Sequence, residues 1–379
     1  MRLAALAVAT TLIAACTDTP GNAQNTPQSP HTTTTLPFTV TEVAKFTSPW
    51  AMTFLPDGRM LVTEKAGELL LVSADGKTSR TIATLPVDSA GQGGLHDVVL
   101  VPGFAQNRQV YLSYSVAGDG GKGIVLVRGT LTGDAGAEQL TGVTELFRAT
   151  PFVEGNGHYS GRIAIAPDGQ HLFFTNGERQ KFDPAQDPKA TLGKVLRLTL
   201  DGKPAGDPGL TARGFHPAIW SYGHRNLLGI AFDQAGNLWE QEMGPKGGDE
   251  VNLVLPGRNY GYPIVSDGDH YDGRPIPDHA TRPEFEKPKV VWNPVISPGG
   301  LIVYSGDMFP EWKGDLFIGG LSSQALVRVD VTGTDAKKGD QWPMGTRIRE
   351  VEQGPDGALW LLEDGQRGAG GKLMKLTRK

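Results

Sequence analysis

Cysteine is almost missing from this chain: Cys16 is the single one in 379 residues. The folded body therefore has no disulfide and no thiolate metal site, and any metal must sit on oxygen or imidazole. An excess of either charge is missing too. Lys and Arg number 36 against 41 Asp and Glu, a net charge of −5, which leaves no electrostatic footprint for nucleic acid or an anionic membrane surface. No stretch after residue 40 sustains a 3.6-residue apolar period over a helix length, which excludes a helical body. There is no phosphate-binding loop, no nucleotide fingerprint followed by a helix, and no Gly-x-Ser-x-Gly elbow, which disfavours nicotinamide chemistry and esterases of the α/β type.

What is present is turn-rich: 51 Gly and 27 Pro in a chain with 39% hydrophobic and 20% charged residues, the composition of a globular β protein. Residues 1–15, MRLAALAVATTLIAA, place one Arg before an apolar run too short to cross a bilayer, and read as a secretory signal. The run closes as Ile13-Ala14-Ala15-Cys16, which resembles a bacterial lipobox. The expectation is a lipid-modified Cys16 at the mature N-terminus and a lipoprotein on the periplasmic side of the envelope, on the outer membrane; an ordinary signal cleaved nearby is the alternative. Residues 16–36 are polar and Pro-punctuated, as in a flexible tether, and residues 37–379 form the body.

The body repeats itself. Pro56-Asp57-Gly58 returns as Pro167-Asp168-Gly169 and Pro355-Asp356-Gly357, each followed by a β-rich run such as MLVTE, HLFFTNG or ALWLLED. A second phrase, taken as a closing strand, recurs six times, from Gly67, Gly123, Gly193, Asp249, Ala325 and Gly371. Self-similarity at such a period, with several short strands per unit, predicts an all-β, six-bladed β-propeller. Residues 256–297 exceed what a turn needs and read as an insertion between blades four and five, at the rim where a propeller builds its site.

Four clusters carry polar chemistry. His158 sits in Gly155-Asn156-Gly157-His158-Tyr159-Ser160, just before the strand IAIAP, where a neutral imidazole can serve as a general base; a histidine that only packs a turn gives the same pattern. Arg225 and Asn226 precede the strand LLGIAF and suit a planar, multiply carboxylated ligand, although an Arg tying two blades together reads the same. Arg347 and Arg349 lie two apart on a strand, so alternation sends both to one face, where like charges need an anion or an acid between them. The glycine-rich stretch from Glu242 to Glu250 can offer carbonyls and carboxylates to a hard cation, without EF-hand spacing.

In this order the clusters resemble the soluble aldose sugar dehydrogenases that use pyrroloquinoline quinone (PQQ), the relatives of soluble glucose dehydrogenase. The likeness runs from Ser48-Pro49-Trp50-Ala51 through Gly91-Gln92-Gly93-Gly94-Leu95, the His158 segment, Trp220 to Asn226, Gly244 to Asn252, Asn259-Tyr260-Gly261-Tyr262-Pro263 and Arg347 to Val351. The resemblance implies oxidation of aldoses at C1 to lactones, with His158 taking the proton of the anomeric hydroxyl as hydride passes to the quinone. Gln92, Arg225, Asn226, Arg347 and Arg349 would hold the cofactor, and Tyr271 and Trp292 would line the cleft. The carbonyls of Gly244 and Pro245 would bind the calcium that polarises the quinone, and Glu250 with the Tyr260 carbonyl would match a second, structural calcium site. The implied partners are an aldose and a quinone or other electron carrier, with membrane contact only through the lipid, in a monomer or homodimer.

Two positions depart from that pattern. Leu321-Ser322-Ser323-Gln324 stands where the family has a lysine toward the cofactor, and Gly157 replaces an acid next to the base, leaving the orienting partner of His158 unidentified. Two other functions remain open at this point, a calcium-dependent lactonase on the same propeller and a non-enzymatic binding propeller. A lactonase needs carboxylate and Asn ligands converging on one metal in the channel.

Overall fold

A computed structural model describes residues 35–365 and 370–379. The expected signal, Cys16 and the tether up to residue 34 lie outside them; Leu36, assigned to the tether by composition, packs against the core beside Phe38.

Among the described residues, six four-stranded antiparallel sheets are arranged as propeller blades. Their innermost strands are Pro49–Phe54, Leu95–Leu100, Ser160–Ile165, Leu227–Phe232, Pro298–Val303 and Ile348–Gln353. Each begins at one mouth of the central channel, lined by Trp50, Ser160, Leu228 and Arg349, and ends at the far mouth, lined by Thr53, Ile165, Phe232, Val303 and Gln353. Near the axis the blades converge, and glycine keeps them apart by its lack of a side chain. A Cβ on Gly229 would lie 2.4 Å from the Cβ of Leu301, and one on Gly299 would lie 2.4 Å from the Arg349 carbonyl.

The Pro-Asp-Gly phrases are the hairpins from first to second strand at the far rim. Gly58, Gly169 and Gly357 take left-handed φ of 85°, 64° and 79°, which glycine adopts without strain. The aspartates hold these turns through Oδ1, which accepts the backbone N–H of Arg59 at 3.1 Å, Gln170 at 2.8 Å and Ala358 at 3.1 Å. Second strands such as Met60–Glu64 and Leu316–Gly320 are buried along their whole length, because a neighbouring blade covers each face. That is why they read as continuous apolar runs.

The recurrent phrase taken as the closing strand is the third strand of each blade. A fourth, outer strand follows it, as in Ser79–Thr84, Gln139–Arg148 and Asp335–Pro343. These outer strands are largely exposed and polar, so they carry little of the alternation by which strands are recognised. The long segment after residue 256 is likewise placed within blade four, because Val290–Trp292 pairs with Asp249–Leu253 as its outermost strand. The segment climbs to the mouth, where Gly268–Asp269 pairs with Lys246–Gly247.

Blade six takes its outer strand from the other end of the chain. Phe38–Phe46 pairs with Gly371–Arg378, Phe38 opposite Arg378 and Phe46 opposite Gly371. Apolar layers then run round the ring. Leu61 meets Leu112 between blades one and two, Phe173 and Leu238 share the layer between three and four, and Met60 and Leu362 share the one that joins six back to one. Each blade buries its faces only against its neighbours, so closing the ring leaves no blade with a bare face.

Candidate active site

His158 lies on the approach to the inner strand of blade three with φ 50°, a left-handed conformation uncommon outside glycine. Two contacts hold it there. Its backbone N–H donates to Gln92 Oε1 at 2.7 Å, and its Nδ1 donates to Glu178 Oε1 in a short hydrogen bond. Glu178 is fully buried and is pinned in turn: Oε1 accepts Gln180 N at 2.9 Å, and Oε2 accepts Lys181 N and Phe182 N, each at 2.6 Å. The loop is tight, with positive φ at Arg179, Gln180 and Phe182, the kind of backbone that clusters at functional sites.

Glu178 is therefore the orienting partner that the sequence left unidentified. A Cβ at position 157 would meet only the far end of the Gln180 side chain, 2.5 Å from its Oε1. Burial pushes His158 below the ordinary imidazole value, the Glu178 hydrogen bond works the other way, and the Arg225 charge adds to the lowering. The imidazole is thus neutral at physiological pH. With the proton fixed on Nδ1 by a carboxylate that can only accept, its lone pair is on Nε2.

Beside it, the backbone of blade four presents Arg225 and Asn226. Both of their N–H groups donate to Glu242 Oε2, that of Asn226 at 3.0 Å. The Arg225 guanidinium donates from Nη1 to the carbonyls of Met243 at 2.9 Å and Gly244 at 2.7 Å. Its buried Nε has no protein partner among the described residues. The ring centres of Tyr262 and Tyr271 lie 5.8 and 5.9 Å from the guanidinium carbon, Tyr271 on the exposed rim.

Arg347 and Arg349 do share one face, and the acid between them is internal. Asp364 accepts both guanidinia, with Nε distances of 2.9 Å to each. They line a cavity of about 390 Å³ together with Gln92, Asn226, His96, Trp50 and Lys65. Its floor is a stack: His96 lies on Trp50 at 4.6 Å, and Arg162 lies 4.1 Å from the Trp50 ring centre. Arg162 pairs with Glu350 and reaches Asp97 at 3.4 Å. That buried trio separates the mouth from the far end of the channel.

The residue model for glucose/sorbosone dehydrogenases matches residues 46–375. The chain belongs to the glucose/sorbosone dehydrogenase family. It is 38% identical over 344 residues to the aldose sugar dehydrogenase YliI of Escherichia coli, covering 88% of this chain and 91% of that one. The crystal structure of the soluble aldose sugar dehydrogenase from Escherichia coli in the apo-form superposes with a TM-score of 0.82 at 36% identity, over 90% of this chain and all of that one. The PQQ-bound aldose sugar dehydrogenase of Streptomyces coelicolor superposes with a TM-score of 0.72 at 28% identity, over 92% and 99% of the two chains.

Within this family member the remaining expected site residues divide. Gly244 and Pro245 line a rim cavity with Tyr271, where the Gly244 carbonyl is held by Arg225. That carbonyl is occupied by a cationic donor, which a metal ion binding there would have to displace. Glu250 and the Tyr260 carbonyl come together with His279 around a small void. His279 is hydrogen-bonded to the Tyr260 carbonyl at 3.0 Å and to Asp267 at 3.1 Å, so a histidine, cationic when protonated, stands where the second calcium was expected. Burial opposes that charge, and Asp267 and Glu250 outweigh it, raising His279 to about 9.

Trp292 does not line the cleft. It is 2% exposed and packs with Trp239, Val251 and Ile296 in the layer between blades four and five, because its place on the outer strand turns the indole to the core. Carboxylate and Asn ligands do converge, as Glu240, Glu250 and Asn252, but within blade four. They are not in the channel, as a lactonase would require.

Glu178, Asp364, His96 and Lys65 were missed. Glu178 could have been flagged as an acid at the mouth end of HLFFTNG, the position where the other second strands deliver their polar residues. Glu178→Gln is expected to lower turnover by about 10- to 100-fold and to cost stability as well, because its buried NH2 must face a group that can only donate. Because Glu178 raises the His158 pKa, its loss also moves the acid limb of the pH–rate profile to lower pH, which a pH titration of initial rates would detect.

Proposed function

We propose that this protein oxidises aldoses at C1 to lactones, with PQQ in the channel mouth and calcium at the Gly244 and Pro245 carbonyls, passing electrons to a quinone or other carrier. The observation that carries this is the His158–Glu178 pair, held by Gln92, behind a cavity that Gln92 lines and whose charged walls are predominantly cationic. Such a cofactor, when bound, supplies a hydride acceptor, and calcium supplies a Lewis acid.

The chain's own residues do the rest. His158 Nε2 takes the proton of the anomeric hydroxyl, and Glu178 stabilises the imidazolium that results. Arg225, Asn226, Gln92, Arg347 and Arg349 bind and orient an anionic planar ligand. A carboxylate arriving at Arg225 and a cation at the Gly244 carbonyl satisfy the two groups that now satisfy each other. Glu250 and Tyr260 belong to the proposed structural calcium site, with His279 as its competitor. The N-terminal signal, with lipidation of Cys16, would place the enzyme on the periplasmic side as an outer-membrane lipoprotein.

The test is to add PQQ and calcium, separately and together, to purified apo-protein and follow dye reduction with glucose and other aldoses. Sugar-dependent reduction that needs both additions is expected. Reduction that proceeds without PQQ, or none with both present, would overturn the reading.

A further inference from the structure

Among the described residues, the mouth cavity holds one cation with no ion-pair partner, Lys65. Arg347 and Arg349 share Asp364, the one carboxylate among the described residues lining the cavity. Lys65 lines the same cavity from blade one, and its Nζ donates to a neutral group, the Gly91 carbonyl, at 2.7 Å. Among the described residues it forms no ion pair. With two arginines and one lysine against one aspartate, the cavity walls carry two positive charges in excess.

Lys65 is also held in place. Its backbone N–H donates to the Ser48 carbonyl at 2.9 Å, and its own carbonyl accepts Leu95 N at 3.2 Å. The stem lies on Gly94, where an added Cβ would come within 2.7 Å of Lys65 Cγ and where φ is +142°. The ammonium thus sits beside Gln92, whose side chain holds the backbone of the catalytic base. A half-buried lysine whose only partner is a carbonyl gains more from an anionic oxygen, because charge-assisted hydrogen bonds are about twice as strong as neutral ones. No cation comes from the corner at Ser322, which is tied back to blade five by its N–H to the Ile296 carbonyl at 3.1 Å.

We infer that Lys65 is a cofactor-binding residue of this chain, an anchor for a carboxylate or quinone oxygen of a polycarboxylate in the mouth. This rests on the PQQ reading above. The experiment is a titration of PQQ into calcium-loaded apo-protein, followed by quenching of tryptophan fluorescence, for wild type, Lys65→Met, Lys65→Arg and Lys65→Met combined with Ser322→Lys. Lys65→Met is expected to raise Kd about tenfold, as loss of one charge-assisted bond implies. Lys65→Arg should stay within about threefold of wild type, since it keeps the charge. Restored affinity in the double variant would support the charge itself as the cause. If Lys65→Met binds within about twofold of wild type, the role of Lys65 is overturned while the cofactor reading stands. A wild-type protein that binds no PQQ overturns both.

Discussion

His158→Ala should abolish sugar oxidation, lowering kcat by about 10²- to 10⁴-fold, with cofactor affinity nearly unchanged. The reasoning starts from the imidazole's two nitrogens. Nδ1 is committed to Glu178, so Nε2 alone can accept the proton, and no other group with a suitable pKa has been placed beside it. His96 cannot substitute: burial drives it down to about 3, and both of its nitrogens face carbonyls, Ser160 at 2.9 Å and Gln92 at 3.2 Å. Single-turnover measurement with saturating sugar separates this from a binding defect. A variant that retains more than about a tenth of the wild-type rate would mean the proton leaves by another route.

Arg162→Met is expected to cost about 3–5 kcal/mol of stability, because it leaves buried carboxylates without their cation. Arg162 is buried, pairs with Glu350 and Asp97, and donates through Nε to the Leu228 carbonyl at 2.8 Å. In the native protein burial raises Glu350 to about 7, against the pull of Arg162. A carboxyl raised above its unfolded value contributes stability that is present below the unfolded pKa and lost as pH rises through the folded one. Without Arg162 the pull is gone and Glu350 rises further. The melting temperature of the variant should therefore fall furthest behind wild type at about pH 8 and recover part of the gap at about pH 5. Thermal unfolding at the two pH values decides it: an equal gap at both would show that the trio is held by packing alone.

How much of this was readable before folding depends on where each signal is stored. The Pro-Asp-Gly turns and the buried second strands were legible because glycine's φ and two-sided burial each leave a local mark. The outer strands were not, since exposed strands such as Asp335–Pro343 mix polar residues freely on both faces. His158 stood out by its glycine-rich setting, but its catalytic role was decided only through resemblance, because a histidine in such a loop has no spacing of its own. The pairings of Glu178 and Asp364 were not legible for one reason: each is joined to its partner across neighbouring strands, His158 to Glu178 and Arg347 to Asp364, and strand register is not written locally. Trp292 was misplaced because the resemblance alone put it in the cleft, whereas its position on a three-residue outer strand decides that it faces inward.

The strand that completes blade six has a direction as well as a partner. It starts at Phe38 on the far rim and reaches Phe46 at the mouth, before the chain turns into Pro49 and Trp50. Whatever holds the molecule by the residues before Phe38 therefore holds it from beneath, like a cup by its foot. A protein tethered in that way would present its open side outward, so that sugars and electron carriers approach from the bulk rather than through the gap beside the anchoring surface.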